Sequence, residues 1–431
     1  MNRLIRDCAL LRADGTLLEH AYVAVEEKRI AWADAVPPAQ REWDEIVEGA
    51  GLLLIPGLVN SHTHVAMTLM RGYGDDMPLD SWLNDRIFPF EDKLSGEDVY
   101  WGSLLGIAEM LATGTVSFTD MYYFCGETVR AVEESGIKAN IGRGFSCFDP
   151  ALRLRDLPAY PEMVELLRNC QGAADGRIRI DVAPHSEYTT RPDLLAEAAE
   201  LAAAYGARMH VHLSETWKEH KECVGRHGKT PAEVMRDAGV LEQPVTLAHC
   251  VWLTDRDMDF LAEAPDLSVA HCMKSNLKLG SGIARVDALR RRGIRVAVGT
   301  DSAASNNGLD MLEEMRTAAL VAKGIACDPC ALPAQEMLAM ATREGARSQG
   351  RDGGILTAGA PADLVALRLD ALSMIPCHSA LSNLLYAAGA PAVAMTMVDG
   401  KILYRDGSFP TLDIERIRYE VRRRVGALLA G

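Results

Sequence analysis

The chain has 431 residues and a formal net charge of −15; 48% of the residues are hydrophobic and 24% charged. That size and apolar fraction predict a globular protein with room for one large domain and a smaller one. The acidic balance, with no Lys/Arg stripe interleaved with aromatics, speaks against a nucleic-acid binder. No segment approaches the roughly 20 apolar residues of a membrane span.

The opening "MNRLIRDCALLRADG" meets a charge early and has no sustained apolar run, so it does not read as a signal peptide. Ten cysteines without framework spacing predict free thiols and a reducing, cytoplasmic setting. Cys327 and Cys330 form one CxxC, but a zinc ribbon needs a second pair, which the sequence lacks.

Residues 1–56 read as short strands and turns. "ALLRADGTLLE" carries Asp-Gly between apolar runs, a hairpin signal, and "AYVAVEEKRIAWA" alternates and turns at Glu-Glu-Lys. The end of the chain repeats the style in "ADLVALRLD" and "AVAMTMVDGKILYRDG". Both ends together predict one small β-sandwich domain, residues 1–56 with 355–431, around a catalytic domain at 57–354.

The middle alternates strand-like runs with amphipathic helices. The runs are "LLLIPGLVNSH", "TVSFTD", "KANIGRGF", "RIRIDVAPHS", "ARMHVHLSE", "VTLAHC", "DLSVAHC" and "RVAVGTD". "EDVYWGSLLGIAEMLATG" and "RPDLLAEAAELAAAYG" are helical stretches between them, and Gly206 stands where a C-cap belongs. Eight βα units predict an α/β fold of the (β/α)8 TIM-barrel type. A doubly wound sheet is the weaker alternative, since no Gly-rich phosphate loop accompanies the strands.

In such a barrel the reactive face lies where the strands end. The runs end, in order, with His62 and His64, Asp120, Arg143, His185, then His210, His212 and Glu215, His249, His271 and Asp301. Most of the chain's 11 histidines lie on these ends. Alternate residues of a strand share a face, so His62 and His64 look at one point. With a third imidazole and the Asp301 carboxylate they suit a divalent metal that keeps one exchangeable position. His210 and His212 share a face too, and spacing alone leaves the choice between them open. The fourth run has no lysine to carry a bridging carbamate, so one metal is expected.

"PGLVNSHTH", "HVHLSETWKEH", "LAHCVWL", "SNLKLGSGIA" and "GTDSAASNNGLDMLEEMR" resemble the amidohydrolase superfamily, and more narrowly its 5-methylthioadenosine/S-adenosylhomocysteine deaminases. The resemblance implies His62, His64, His212 and Asp301 as metal ligands, Glu215 as the proton-shuttling acid and His249 beside the attacking water. It implies His185 and Glu91 as ribose-holding residues and Trp82 as a wall of the base pocket. Read without it, Glu91 is a surface ion-pairing residue and Trp82 ordinary packing. Arg143 reads equally as a partner for a substrate carboxylate or as a neutraliser of Asp120.

The implied cofactor is one divalent metal, Zn2+ first, with Fe2+ or Mn2+ also suited to N3O ligation. The implied reaction is hydrolytic deamination of adenosine-type nucleosides by a homo-oligomer. Alternatives are a free-base (guanine- or cytosine-like) or s-triazine aminohydrolase or chlorohydrolase, and a non-catalytic scaffold of the same fold. One departure stands out: Cys272 and Met273 occupy positions where the family pattern has Asn-Pro, in a loop expected to border the pocket.

Overall fold

The computed structural model describes residues 2–430, except residues 13 and 40 and the side chain of Asp80. Eight parallel strands follow one another in chain order around a barrel: Leu58–Thr63, Thr115–Tyr122, Lys138–Phe145, Ile178–Pro184, Met209–Leu213, Val245–His249, Leu267–His271 and Arg295–Val298. The expected alternation with helices holds. Gly96–Ala112 and Pro192–Tyr205 are two of the helices, and Gly206 ends the second at φ 60°. The first and eighth strands meet through side chains. Asn60 Nδ2 donates to Thr300 Oγ1 at 2.7 Å and Asn60 Oδ1 accepts from Thr300 N at 2.9 Å. Just beyond, Asp301 N donates to His62 O at 2.9 Å.

The two chain ends build a separate mixed sheet. Its order is Lys401–Arg405, Val393–Val398, Leu364–Arg368, Leu52–Pro56, Asn2–Leu11, Leu17–Glu26 and Arg29–Asp34, with Glu45–Glu48 also pairing with Asn2–Leu11. This is the small β domain expected from both chain ends, and its buried residues Ile5, Val23, Leu54, Leu364 and Met397 share a single apolar cluster. The hairpin turns predicted at Asp14-Gly15, Glu27-Lys28 and Asp399-Gly400 join neighbouring antiparallel strands; Ala13, beside the first, lies outside the described residues. Helix Ile414–Ala430 leaves this sheet and packs on Gly96–Ala112, with Arg424 donating to Asp98 at 3.0 Å.

One predicted strand is corrected. "LLLIPGLVNSH" is two strands in two sheets: Leu52–Pro56 pairs with Leu364–Arg368, while Leu58–Thr63 opens the barrel. Gly57 is the crossing point. A Cβ there would stand 2.4 Å from a methyl of Val116, so only glycine lets the chain pass this close to the second strand.

Candidate active site

The site is built on the ends of the barrel strands. His64 Nδ1 donates to Met121 O at 2.6 Å, and His212 Nδ1 donates to His185 O at 2.8 Å. A carbonyl only accepts, so both protons sit on Nδ1 and both Nε2 atoms are bare lone pairs. These two lone pairs face each other at 3.3 Å. His62 Nε2 is buried with no hydrogen-bond partner among the described residues and lies 3.6 Å from Asp301 Oδ1; His64 Nε2 lies 3.3 Å from the same oxygen. Burial pushes His62 and His212 well below the ordinary imidazole value, so they are neutral.

Lone pairs and a carboxylate oxygen crowded into a buried space repel one another unless a cation lies among them. Three neutral imidazoles, each with its far nitrogen tied back, plus one carboxylate are the donor set and outer hydrogen bonding of a divalent metal site. The residues therefore fit the group that the sequence motifs imply. His210, which spacing leaves open against His212, has its Nε2 2.7 Å from His62 Nδ1, on the side of that ring opposite the Nε2 that faces Asp301.

Asp301 is held from behind as well. Ser275 Oγ and Ser305 Oγ donate to its Oδ2 at 2.5 and 2.9 Å, and Ser302 N donates to Oδ1 at 2.8 Å. Burial alone would raise its pKa, but His64, His249 and the two hydroxyls bring it below the ordinary carboxylate value. His249 Nδ1 faces Asn276 Oδ1 at 2.9 Å, which fixes a proton on Nδ1, and its Nε2 lies 3.8 Å from Glu215 Oε2. Burial disfavours its charge, yet Glu215, Asp301 and Asn276 outweigh this and raise it above the ordinary value. Glu215 Oε1 accepts from Ser281 Oγ at 3.1 Å. Ser214, His249, Cys250 and Asp301 all have left-handed backbone, with φ between 48° and 70°. Such strain in non-glycine residues gathers where side chains must be aimed at a site.

These groups form one end of a pocket of about 740 Å³. His64, His212, Glu215, His249 and Asp301 line it together with the predicted Glu91, His185 and Trp82; His62 is fully buried beneath them. Trp82, Leu83, Ile87, Phe88 and Glu91 come from one helical segment that passes through a π-turn at Leu83–Ile87. A π-turn rotates side chains relative to a plain α-helix and recurs at functional sites. Burial raises Glu91 to about 7, with Tyr122 beside it partly offsetting the effect. His185 Nδ1 sits between Ser186 Oγ at 3.1 Å and Thr189 Oγ1 at 3.0 Å, and burial lowers it to about 4.

Two sequence expectations meet different surroundings. Arg143 does not line the pocket: Nε donates to Glu162 Oε2 at 2.6 Å, a second nitrogen donates to Gly144 O, and the guanidinium lies over Tyr123. Nor does it pair with Asp120, whose Oδ1 accepts from Val65 N and Thr63 Oγ1. Cys272 and Met273 are buried and do not line the pocket, and Met273 joins the main apolar core. Beyond them, Ser275 and Asn276 do the holding. Ser275, Asn276 and Ser281 lie in "SNLKLGSG" but, like Tyr122 and Ser305, carry no spacing or pattern that marks them in the sequence.

The amidohydrolase family model matches residues 53–403. The chain is 40% identical over 426 residues to a 5-methylthioadenosine/S-adenosylhomocysteine deaminase of Moorella thermoacetica, covering 98% of each chain. It is 42% identical over 429 residues to a 5′-deoxyadenosine deaminase of Methanothermobacter thermautotrophicus, covering 99% of each. Among solved structures, a zinc-bound adenosine deaminase from Xanthomonas campestris superposes with a TM-score of 0.93 at 32% identity, over 100% of this chain and 99% of that one. Strand-end histidines converging on Asp301, the barrel that carries them and these full-length matches lead to one conclusion: the chain belongs to the amidohydrolase family.

Proposed function

We propose that the protein is a metal-dependent hydrolytic deaminase of adenosine-type nucleosides, converting 5-methylthioadenosine, S-adenosylhomocysteine and related 5′-substituted adenosines to the inosine analogue and ammonia. The observation that carries this is one pocket lined by His64, His212, Asp301 and Glu215, with His62 buried beneath them, together with Glu91 and His185. Two full-length relatives bearing names of adenosine-derivative deaminases support the substrate class, and a zinc-bound relative supports Zn2+.

His62, His64, His212 and Asp301 would hold the metal, which when bound lowers the pKa of a water to about 7 and makes hydroxide available at neutral pH. The remaining work falls to side chains. Attack on the amino-bearing ring carbon is slow until a ring nitrogen is protonated, because only then does the ring accept the electron pair. Glu215, held by Ser281, delivers that proton, takes up the one on the newly added hydroxyl and passes it to the departing amine; the proton held by Asp301 then restores it. Asp301 is ionised, which suits it to take up the proton that the attacking water gives up. His249, kept in orientation by Asn276 and inclined toward its charged form, donates to the oxygen at the attacked carbon. Glu91 offers two acceptor oxygens to the two donors of a ribose diol, and His185, its Nδ1 engaged, offers Nε2. Trp82 gives the ring an apolar wall. The protein acts as a homo-oligomer in the cytoplasm on this reading.

Ammonia release from metal-replete protein tests the proposal. The panel holds 5-methylthioadenosine, S-adenosylhomocysteine, 5′-deoxyadenosine, adenosine, guanine, cytosine and a triazine, with Glu215→Gln as control. Ammonia from the adenosine derivatives, cut to a small residual rate in the control, is the expected result. Ammonia only from a free base or the triazine would overturn the substrate class.

A further inference from the structure

Glu219 is a buried acid just behind the catalytic acid, yet it does not line the pocket. It lies in the first turn of helix Trp217–His227, its own N–H capped by Thr216 Oγ1 at 3.1 Å. Its carboxylate turns back past the start of that helix. Oε1 accepts from Ser214 N at 2.8 Å and Oε2 accepts from Glu215 N at 2.7 Å, with the Thr216 amide also favouring its charged form. Successive amides converge on one anion here because Ser214 is left-handed, at φ 48°, the geometry of an anion-holding backbone nest. The nest is filled by the protein's own side chain. Ser214 O is tied too, accepting from Trp252 N at 2.9 Å. The peptide that carries Glu215 is thus held on both of its edges.

We propose that Glu219 is the positioning residue for Glu215: by clamping the Ser214 and Glu215 amides it sets where the proton-transferring carboxyl stands over the substrate ring. The placement has a cost, since two carboxyls share a buried region. Burial, and then the charge of Glu215, push Glu219 up to about 7. An uncharged residue that merely capped the helix would avoid that cost, and Thr216 already provides the cap. Glutamine at 219 keeps the shape but turns an NH2 toward an N–H, so one of the two clamps opens.

This inference rests on the deaminase reading, and the experiment separates the two. Steady-state kinetics on the best-deaminated adenosine derivative are compared for wild type, Glu219→Gln, Glu215→Gln and the double variant, with metal content and Tm measured for each. Misplacing a reacting group by about 1 Å costs on the order of 100-fold, so Glu219→Gln is expected to lose about that much kcat while KM moves less than about 3-fold. Metal per chain stays at the wild-type value. In the Glu215→Gln background the same change costs nothing further, because the residue acts only through Glu215. An equal loss with and without Glu215 would overturn the proposal, as would unchanged kcat or a loss confined to KM or to metal content. Should Glu219→Gln not fold, Glu219→Asp, which keeps the charge one methylene short, is read by the same criteria. A wild-type protein that deaminates no adenosine derivative would fail the deaminase reading itself; an active wild type with an indifferent Glu219→Gln would fail only the positioning.

Discussion

His62 Nδ1 lies 2.7 Å from His210 Nε2. One ring must donate to the other. A ligand needs a bare Nε2, so the proton belongs on His62 Nδ1 and His210 is the acceptor. Its own Nδ1 then carries a proton in a buried place with no partner among the described residues. His210 thus fixes the tautomer and angle of His62 without reaching the shared point. Partners of this kind change metal affinity by roughly 10–100-fold when removed. His210→Ala should weaken metal binding by that factor in chelator competition, with kcat restored at saturating metal.

Asn276 stands in the same relation to His249, accepting at 2.9 Å. A hydrogen bond to a charged partner contributes about 1.5–3 kcal/mol. Asn276→Ala should therefore lower kcat by roughly 10–100-fold with KM nearly unchanged, since the bond supports charge that develops in the reaction. A loss seen in KM alone would place His249 in ground-state binding instead.

Glu91 gives a pH dependence with a definite sign. Its folded pKa, about 7, lies above the ordinary 4.5 of an exposed glutamate. Between those values the folded chain holds a proton that the unfolded chain has lost, so stability falls as pH rises from 4.5 to about 7. Binding runs the other way, because a ribose diol needs the ionised form. KM should fall as pH rises through about 7. Glu91→Gln should flatten both profiles and raise KM by roughly 10-fold or more. Denaturant titrations and initial rates across that range check the two halves.

The barrel and the small sheet are pinned by a charge cluster. Lys138, at the start of the third barrel strand, lies 2.6 Å from both Asp363 and Asp399, and all three side chains are largely buried. Removing the cation leaves two carboxylates uncompensated, which in buried pairs costs about 3–5 kcal/mol. Lys138→Met should lower denaturant stability by that order and leave kcat of the folded protein intact.

The barrel was legible because its strands carry both an apolar run and a terminal chemical residue, and the period of two fixes which residues face inward. For the same reason His210 and His212 stayed undecided: the period gives the face, while depth along the barrel comes only from the register of neighbouring strands. "LLLIPGLVNSH" misled because both sheets are apolar, so the break at Gly57 leaves no polar mark; its necessity lies in the approach of Val116. Arg143 was legible as a strand-end cation, but Glu162, which claims it, comes from a helix 19 residues on. Ser275, Asn276, Ser281 and Glu219 follow no periodic pattern. Small polar residues gain a role only through what the fold sets beside them, here Asp301, His249 and Glu215.

Metal content measured alongside activity tests the central claim, that His62, His64, His212 and Asp301 hold one divalent metal on which deamination depends. Elemental analysis and ammonia release are run on the purified protein, on chelator-stripped protein before and after Zn2+, and on His64→Ala. The account predicts one metal per chain, loss of metal and activity together on stripping, recovery on adding Zn2+, and neither in His64→Ala. Full activity in metal-free protein, or one metal per chain retained with normal turnover in His64→Ala, would contradict it.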